Sequence, residues 1–289
     1  MLKTRIITAL LVLPIVLLAL FMLPDWAWGV FTLGIMFAAC WEWAKFCQFS
    51  PRASQPKYIY FGLSAAIAAV IFYTYCGGQF FDLFTFRQLA LFGFTAAALF
   101  WLVAAPLWLV RVWRPSYSAI VGFAGWLVIF PTWLALLLLH DRSPWLLLSL
   151  ALIVWVADVA AYFVGKAVGK RKLAPAISPG KTMEGALGGI VGVALYFFLW
   201  QLWSAHPISG AQSWALELGK HAWWLFGFFI LLGVLSVIGD LFESWMKRGA
   251  GLKDSSGLLP GHGGILDRID ALTSTLPIAG LYMILTGVI

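Results

Sequence analysis

The sequence predicts an all-α, polytopic integral membrane protein of about nine transmembrane helices, with its N-terminus in the cytoplasm and its C-terminus outside. Three observations carry this expectation. Of 289 residues, 62% are hydrophobic and only 11% charged, with mean hydropathy +0.92, whereas a soluble domain carries about 25% charged residues. The apolar residues come in runs long enough to span a bilayer as helices, which take ~20 residues each. The basic residues are also unevenly divided between the two sets of connecting loops. The composition excludes a soluble globular enzyme, a disordered chain and a small disulfide scaffold.

The runs place spans at about 6–23, 26–43, 58–76, 88–110, 117–139, 144–165, 183–204, 222–240 and 266–287. Their continuity favours helices over a barrel, whose strands alternate in hydrophobicity. The first run follows Lys3 and Arg5 and resembles a secretory signal. At ~18 residues it exceeds a signal's apolar core, and the next run follows at once after Pro24 and Asp25, so it reads as an uncleaved span. Tryptophans at span ends (Trp26 and Trp28, Trp41 and Trp43, Trp200 and Trp203, Trp223 and Trp224) fit an aromatic belt at the membrane interface. In the seventh run, Gly185 with Gly189 and Gly188 with Gly192 permit close helix packing. A division into residues 1–115 and 116–289 separates N-terminal from C-terminal helices within a single membrane-embedded unit.

Orientation follows from Lys and Arg. Sixteen of the 19 lie at the N-terminus or in the loops after the second, fourth, sixth and eighth spans; Arg87, Arg142 and Lys220 lie opposite. That bias places the N-terminus inside and explains the net charge of +7 without invoking nucleic acid. Cys40 and Cys47, with no CxxC pattern, are expected to be buried apolar fillers.

Positive-inside bias does not explain the acids. Asp25, Asp82, Asp141 and Glu217 fall in outer loops and read as solvated; His140, His206 and His221 read as ordinary interfacial residues. The other eight acids, Glu42, Asp158, Glu184, Asp240, Glu243, Asp254, Asp267 and Asp270, gather on the cytoplasmic side. The densest stretch is residues 239–270. On a helix, Asp240, Glu243, Ser244 and Lys247 share one face at i, i+3, i+4 and i+7. Pro260-Gly-His-Gly-Gly then makes a turn whose glycines can adopt positive φ and present successive N–H groups to an anion. Asp267 and Asp270 follow at i, i+3. Carboxylates from two helix ends with Lys and Arg interleaved suit a divalent metal holding a polyphosphate. A second stretch places Asp158, Tyr162 and Lys166 at i, i+4, i+8. Ser178-Pro-Gly-Lys-Thr looks like a P-loop ending, but Pro175 stands where the first glycine belongs and no strand is expected before it. Lys181 and Thr182 remain candidates for phosphate contact.

The order Ser244, Lys247-Arg248, Lys253-Asp254, His262-Gly263-Gly264 and Asp267-Arg268-Ile269-Asp270 closely resembles the signature of the phosphatidate cytidylyltransferase (CDP-diacylglycerol synthase) family. The Ile177–Gly185 stretch, the short N-terminus and the total length resemble its bacterial members. The resemblance implies nucleotidyl transfer from CTP to phosphatidate, giving CDP-diacylglycerol and pyrophosphate at a bacterial inner membrane, with the site facing the cytoplasm. It implies Mg²⁺, with K⁺ as a companion, on Asp240 and Asp267 and more weakly on Asp270 and Asp158. Lys247, Arg248, Lys253, His262 and Arg268 would then be catalytic. Lys166, Lys181, Thr182, Ser244, Asp254, Gly263 and Gly264 would contact substrate. A homodimer stays open. The alternatives are another CTP-dependent lipid phosphoryl or nucleotidyl transferase, and an ion transporter with intramembrane carboxylates.

Overall fold

The computed structural model describes residues 2–47, 55–77, 83–115, 118–204 and 222–289. Arg52, Asp82, His206, Glu217, Lys220 and His221, to which the sequence reading assigned sides, lie outside these. The described chain is helical apart from one small hairpin. The helices are α1 (Leu2–Met22), α2 (Asp25–Phe46), α3 (Gln55–Tyr75), α4 (Leu83–Leu99), α5 (Ala105–Val110), α6 (Ser118–Arg142), α7 (Pro144–Val168), α8 (Met183–Ser204), α9 (Ala222–Gly249) and α10 (Leu266–Leu285). Strands β1 (Lys172–Ala174) and β2 (Ser178–Thr182) pair antiparallel between α7 and α8. The strand expected to be absent before the Ser-Pro-Gly-Lys-Thr segment is therefore present, but that segment is itself the second strand of a hairpin and not a phosphate-binding loop.

Among the described residues, seven helices are long and apolar enough to cross a membrane, and the chain is a multi-pass membrane protein. The expected nine spans go beyond that number: the described apolar part of α1 is only Leu10–Met22, and α10 opens with Asp267, Arg268 and Asp270. Helices α4 and α5 form one rod, joined by a π-helical turn over Phe100–Ala104. Pro106, which lacks an N–H and clashes with the preceding turn, follows this turn, and the wider winding accommodates it. Pro277 inside α10 likewise leaves the Thr273 carbonyl without its helical donor; Thr132 Oγ1 of α6, 2.7 Å from the Val128 carbonyl of its own helix, stands 3.3 Å from it and can share its proton there, where lipid would offer none.

The small-residue expectation is fulfilled at the α7–α8 contact. A Cβ on Gly189 would stand 3.0 Å from the Ala157 carbonyl, and one on Gly188 would strike Val164 at 2.5 Å. The tryptophan expectation needs correction. Trp26, Trp41, Trp203, Trp223 and Trp224 are exposed, but Trp28, Trp43 and Trp200 are buried in the core. Residues two apart on a helix point to nearly opposite sides, so in each pair separated by one residue only one ring can face lipid. The cysteines divide similarly: Cys40 and Cys47 are buried, Cys76 exposed.

Contacts across the bundle bring six chain segments to one end. Thr8 Oγ1 of α1 donates to the Pro260 carbonyl at 2.8 Å. Lys45 Nζ of α2 donates to the Ser255 carbonyl at 3.2 Å. Trp245 Nε1 of α9 donates to the Trp113 carbonyl after α5 at 2.9 Å. Lys181 of β2 pairs with Asp240 of α9. The ends that carry most of the basic residues thus share one face.

The α7–α8 seam yields a test. Gly189→Val should force the helices apart at a typical overpacking cost of about 1–3 kcal/mol. A fall of several degrees in the unfolding midpoint of detergent-purified protein is expected; an unchanged midpoint would show that the seam does not hold the bundle.

Candidate active site

The site is built from the adjoining ends of α9 and α10. Phe242 fixes the rotation of α9: it is buried edge-on against Phe100, Trp101 and Trp108, with ring centroids 5.3–5.5 Å away. Gly239 lets the two helices meet. A Cβ there would lie 2.5 Å from Ser274 Oγ and 2.8 Å from the Asp270 carbonyl. The consequence is that Asp240 and Glu243 face α10 just where it presents Asp267 and Asp270. Asp158, inside the C-terminal half of α7, lies within electrostatic reach of Asp240, Lys181 and Arg268. Asp270 feels Asp240, Glu243 and Asp158.

Each carboxylate has a different set of partners. Asp240 pairs with Lys181, and Ser244 Oγ stands 3.4 Å from its Oδ1. Lys247 Nζ pairs with Glu243 and donates to Asp267 Oδ1 at 2.5 Å. Asp267 Oδ2 accepts from the backbone N–H groups of Ser255 and Gly264, both at 2.8 Å. Both oxygens of Asp267 are therefore engaged within the protein. Glu243 is buried, and neither of its oxygens has a hydrogen-bond partner beyond the Lys247 ion pair. Five carboxylates (Asp158, Asp240, Glu243, Asp267, Asp270) face three cations (Lys181, Lys247, Arg268). Such an excess of oxygen ligands over charge fits a hard divalent cation. The acids are gathered but not closed: among the described residues, no three of them bring ligand atoms within 4.8 Å of one another.

The loop between α9 and α10 turns inward. Gly261 and Gly263 take positive φ, +76° and +83°, which only glycine adopts without strain. Leu259 N–H and Gly263 O close a bridge at 2.8 Å. The expected row of free N–H groups is not what this turn presents. The N–H groups of Ile265 and Leu266 donate to Glu42 at 3.0 and 2.8 Å. The N–H of Gly264 goes to Asp267. The anion at the turn is the protein's own. Ser255 and Ser256 hydroxyls also reach Glu42, at 2.8 and 2.5 Å, so each Glu42 oxygen has two donors. Glu42 is 0% exposed and caps α10 from α2, more than 220 residues earlier. A Cβ on Gly264 would overlap Ser255 Oγ and the Glu42 carboxylate.

This chain matches the cytidylyltransferase family over residues 3–286. It belongs to that family. It is 37% identical to a phosphatidate cytidylyltransferase of Pseudomonas aeruginosa, over 96% of this chain and 95% of that one. It is 33% identical to one of Haemophilus influenzae, over 96% of each, and 33% identical to one of Brucella suis, over 97% and 93%.

Set on this family member's structure, the predicted residues separate into three groups. Asp158, Lys181, Asp240, Ser244, Lys247, Asp267, Arg268 and Asp270 come together. Gly263 and Gly264 shape the loop. Thr182 is a helix cap: its Oγ1 accepts from the Gly185 N–H at 3.1 Å, the usual service of Thr at this position. Arg248 donates to the Leu252 carbonyl at 3.1 Å and is exposed; Lys253 and Asp254 are exposed beside it. His262 has a buried Nδ1 with no partner. Lys166 lies over Tyr162, 5.9 Å from the ring centre, and no contact brings it to the acids. Two residues escaped the sequence reading as site members. Glu243 was legible, at i+3 from Asp240 and i−4 from Lys247. Glu42 was not, since nothing local to α2 indicates which loop it will hold.

Glu42→Gln tests the arrangement. An amide replaces one acceptor with a donor facing donors, at a cost of about 3 kcal/mol for lost bonds to a charged group. Hydrogen exchange at residues 255–266 should quicken while the rest of the bundle stays protected. Unchanged exchange there would mean the loop is held by other contacts.

Proposed function

We propose that this chain catalyses transfer of the cytidylyl group of CTP to phosphatidate, producing CDP-diacylglycerol and pyrophosphate at the cytoplasmic face of a bacterial inner membrane. The observation that carries the proposal is the gathering of carboxylates and cations at one end of a membrane bundle, in a chain whose family relatives bear the name phosphatidate cytidylyltransferase. A soluble nucleotide and a membrane lipid can meet only at such an end. The positive-inside bias supports placing that end in the cytoplasm.

In the proposed reaction a phosphate oxygen of phosphatidate attacks the α-phosphorus of CTP; one P–O bond forms, and the bond to the β-phosphate oxygen breaks as pyrophosphate leaves. A phosphate monoester has its second pKa near ~6, so the nucleophile is already ionised and no general base is needed. The difficulty is to align two polyanions. Exposed Arg248, Lys253 and Arg268 are placed to draw phosphates to the acidic end. Lys181 couples the hairpin to Asp240 and can exchange that partner for a phosphate oxygen. Lys247, held between Glu243 and Asp267, keeps the α9 and α10 ends in register. The buried Nδ1 of His262, without a partner, is available to a substrate oxygen or hydroxyl.

Asp240, Asp270 and Asp158, with the Lys247-paired Glu243 behind them, suit Mg²⁺, and the same oxygen-rich cluster suits K⁺ as a companion. When bound, Mg²⁺ would neutralise the triphosphate and the developing charge on pyrophosphate. Asp267 would have to release Lys247 to join it, so in this arrangement it serves to shape the loop.

Purified protein should convert labelled CTP into chloroform-soluble lipid only when phosphatidate and Mg²⁺ are both supplied. Asp240→Asn should reduce this rate by at least about 100-fold, in keeping with loss of one charged group from a preorganised site. Absence of incorporation by a well-folded sample would overturn the proposal. Preference for another lipid phosphate in competition would redirect it to a different CTP-dependent transferase.

A further inference from the structure

At the opposite end of the same helices, a second constellation stands apart from the acids described above. His140 and Asp141 close α6, and Asp25 opens α2. The sequence suggested solvated loop acids and an interfacial histidine; the structure instead buries His140 to 4% exposure. Its ring stacks on Trp28 at 4.6 Å and 11°, which fixes the ring plane. His140 Nε2 lies 3.0 Å from the Leu20 carbonyl. A carbonyl can only accept, so Nε2 carries a proton, and in the neutral ring Nδ1 then holds a lone pair. That lone pair has no hydrogen-bond partner and points at acids: Asp25 Oδ1 is 3.4 Å away. One ligand atom each from Asp25, His140 and Asp141 lies within 4.8 Å of the others. Among the described residues, no Lys or Arg pairs with Asp25 or Asp141.

We propose that Asp25, His140 and Asp141 form a binding site for a divalent transition-metal ion of the Zn²⁺ class. Three features of the constellation belong to such a site. The donor set of one imidazole nitrogen and two carboxylate oxygens is that of open Zn²⁺ sites, with further positions left to water, and here both carboxylates face solvent. Two ligands at ~2.1 Å from a tetrahedral ion lie roughly 3.4 Å apart, which is the observed separation of Nδ1 from Asp25. A charge-assisted N–H···O bond would be shorter, at about 2.7–2.9 Å. The outer partners are also in place: Nε2–H on a backbone carbonyl orients the ring, and Tyr75 Oη donates to Asp141 Oδ1 at 2.7 Å. The ion would tie the start of α2 to the end of α6, with α3 bound in through Tyr75.

The test uses the full-length protein in detergent, with Co²⁺ and Zn²⁺ alone as probes. Expected, with Mg²⁺ in excess to occupy the acidic end, is one further equivalent of Co²⁺ per chain, giving visible d–d absorption that Zn²⁺ abolishes, together with a rise in unfolding midpoint on adding Zn²⁺. Asp25 is 69% exposed at its side chain, so Asp25→Asn should fold normally. It should weaken binding at least 10-fold and lose the metal-dependent rise. His140→Gln should abolish the spectrum. Saturable binding that Asp25→Asn leaves unchanged would overturn the assignment. So would the absence of stoichiometric binding, which would identify the group as a histidine–aspartate ion pair. Neither outcome bears on cytidylyl transfer.

Discussion

Glu42 is the interaction on which the acidic end depends. A carboxylate at 0% exposure is tolerated only when its charge is answered, and here the answer consists of four donors, two of them the N–H groups of Ile265 and Leu266 where α10 begins. The benefit runs both ways. The start of α10 gains an anion where the helix dipole favours one, and the orphan N–H of Leu266 is satisfied without a side-chain cap from Ile265. Because Glu42 belongs to α2, the cap also fixes α10 against the N-terminal helices. Ser255 links this buried carboxylate to the next one. Its hydroxyl donates to Glu42 at 2.8 Å and its backbone N–H to Asp267 at 2.8 Å, and Asp267 in turn holds Lys247. A chain of bonds therefore runs from α2 through the loop to α9 and sets the positions of Asp267 and Lys247.

This ordering explains how so many like charges can be assembled. Asp240, Glu243 and Asp270 repel one another, and repulsion alone would splay the ends of α9 and α10. Gly239 and the aromatic packing of Phe242 hold the helix ends together from below, while Lys247 clamps them from within. The residual excess of negative charge is then a stored affinity for cations, directed to the one place where both helices end. Removing one partner from such a network leaves an uncompensated buried charge, which is more damaging than never having built the pair.

Much of this was legible in the sequence, and the failures have physical causes. Apolar runs locate the helices because a bilayer leaves few other solutions. Asp240, Ser244, Lys247, Asp267 and Asp270 collect because helical spacing puts each set on one face and a single inward-turning loop joins the two helices. Roles were harder. The glycines at 261–264 do supply positive φ, but the anion they were expected to cradle is Glu42 and Asp267. The partner of a turn depends on which distant side chain reaches it, and composition carries no such information. Thr182 was read beside Lys181 as a phosphate contact, and instead satisfies a helix end that the hairpin creates. The tryptophan pairs were assigned to lipid together, although the spacing of Trp26 with Trp28 and of Trp41 with Trp43 divides each of these between lipid and core.

Helices α2 and α6 connect the two polar ends of the bundle. Near one end α2 carries Glu42, and at the other Asp25; α6 buttresses α10 through Thr132 and ends in His140 and Asp141. A rod packed along its length transmits displacement with little loss, since close-packed interiors are stiff. Any constraint on the far ends of α2 and α6 thus bears on the angle at which Glu42 meets α10. In a soluble enzyme a site can be supported by a second layer of protein around it. Here water lies above the site and lipid around the bundle, so the only support available is along the helices themselves. The buried polar groups at both ends are accordingly placed on the same rods.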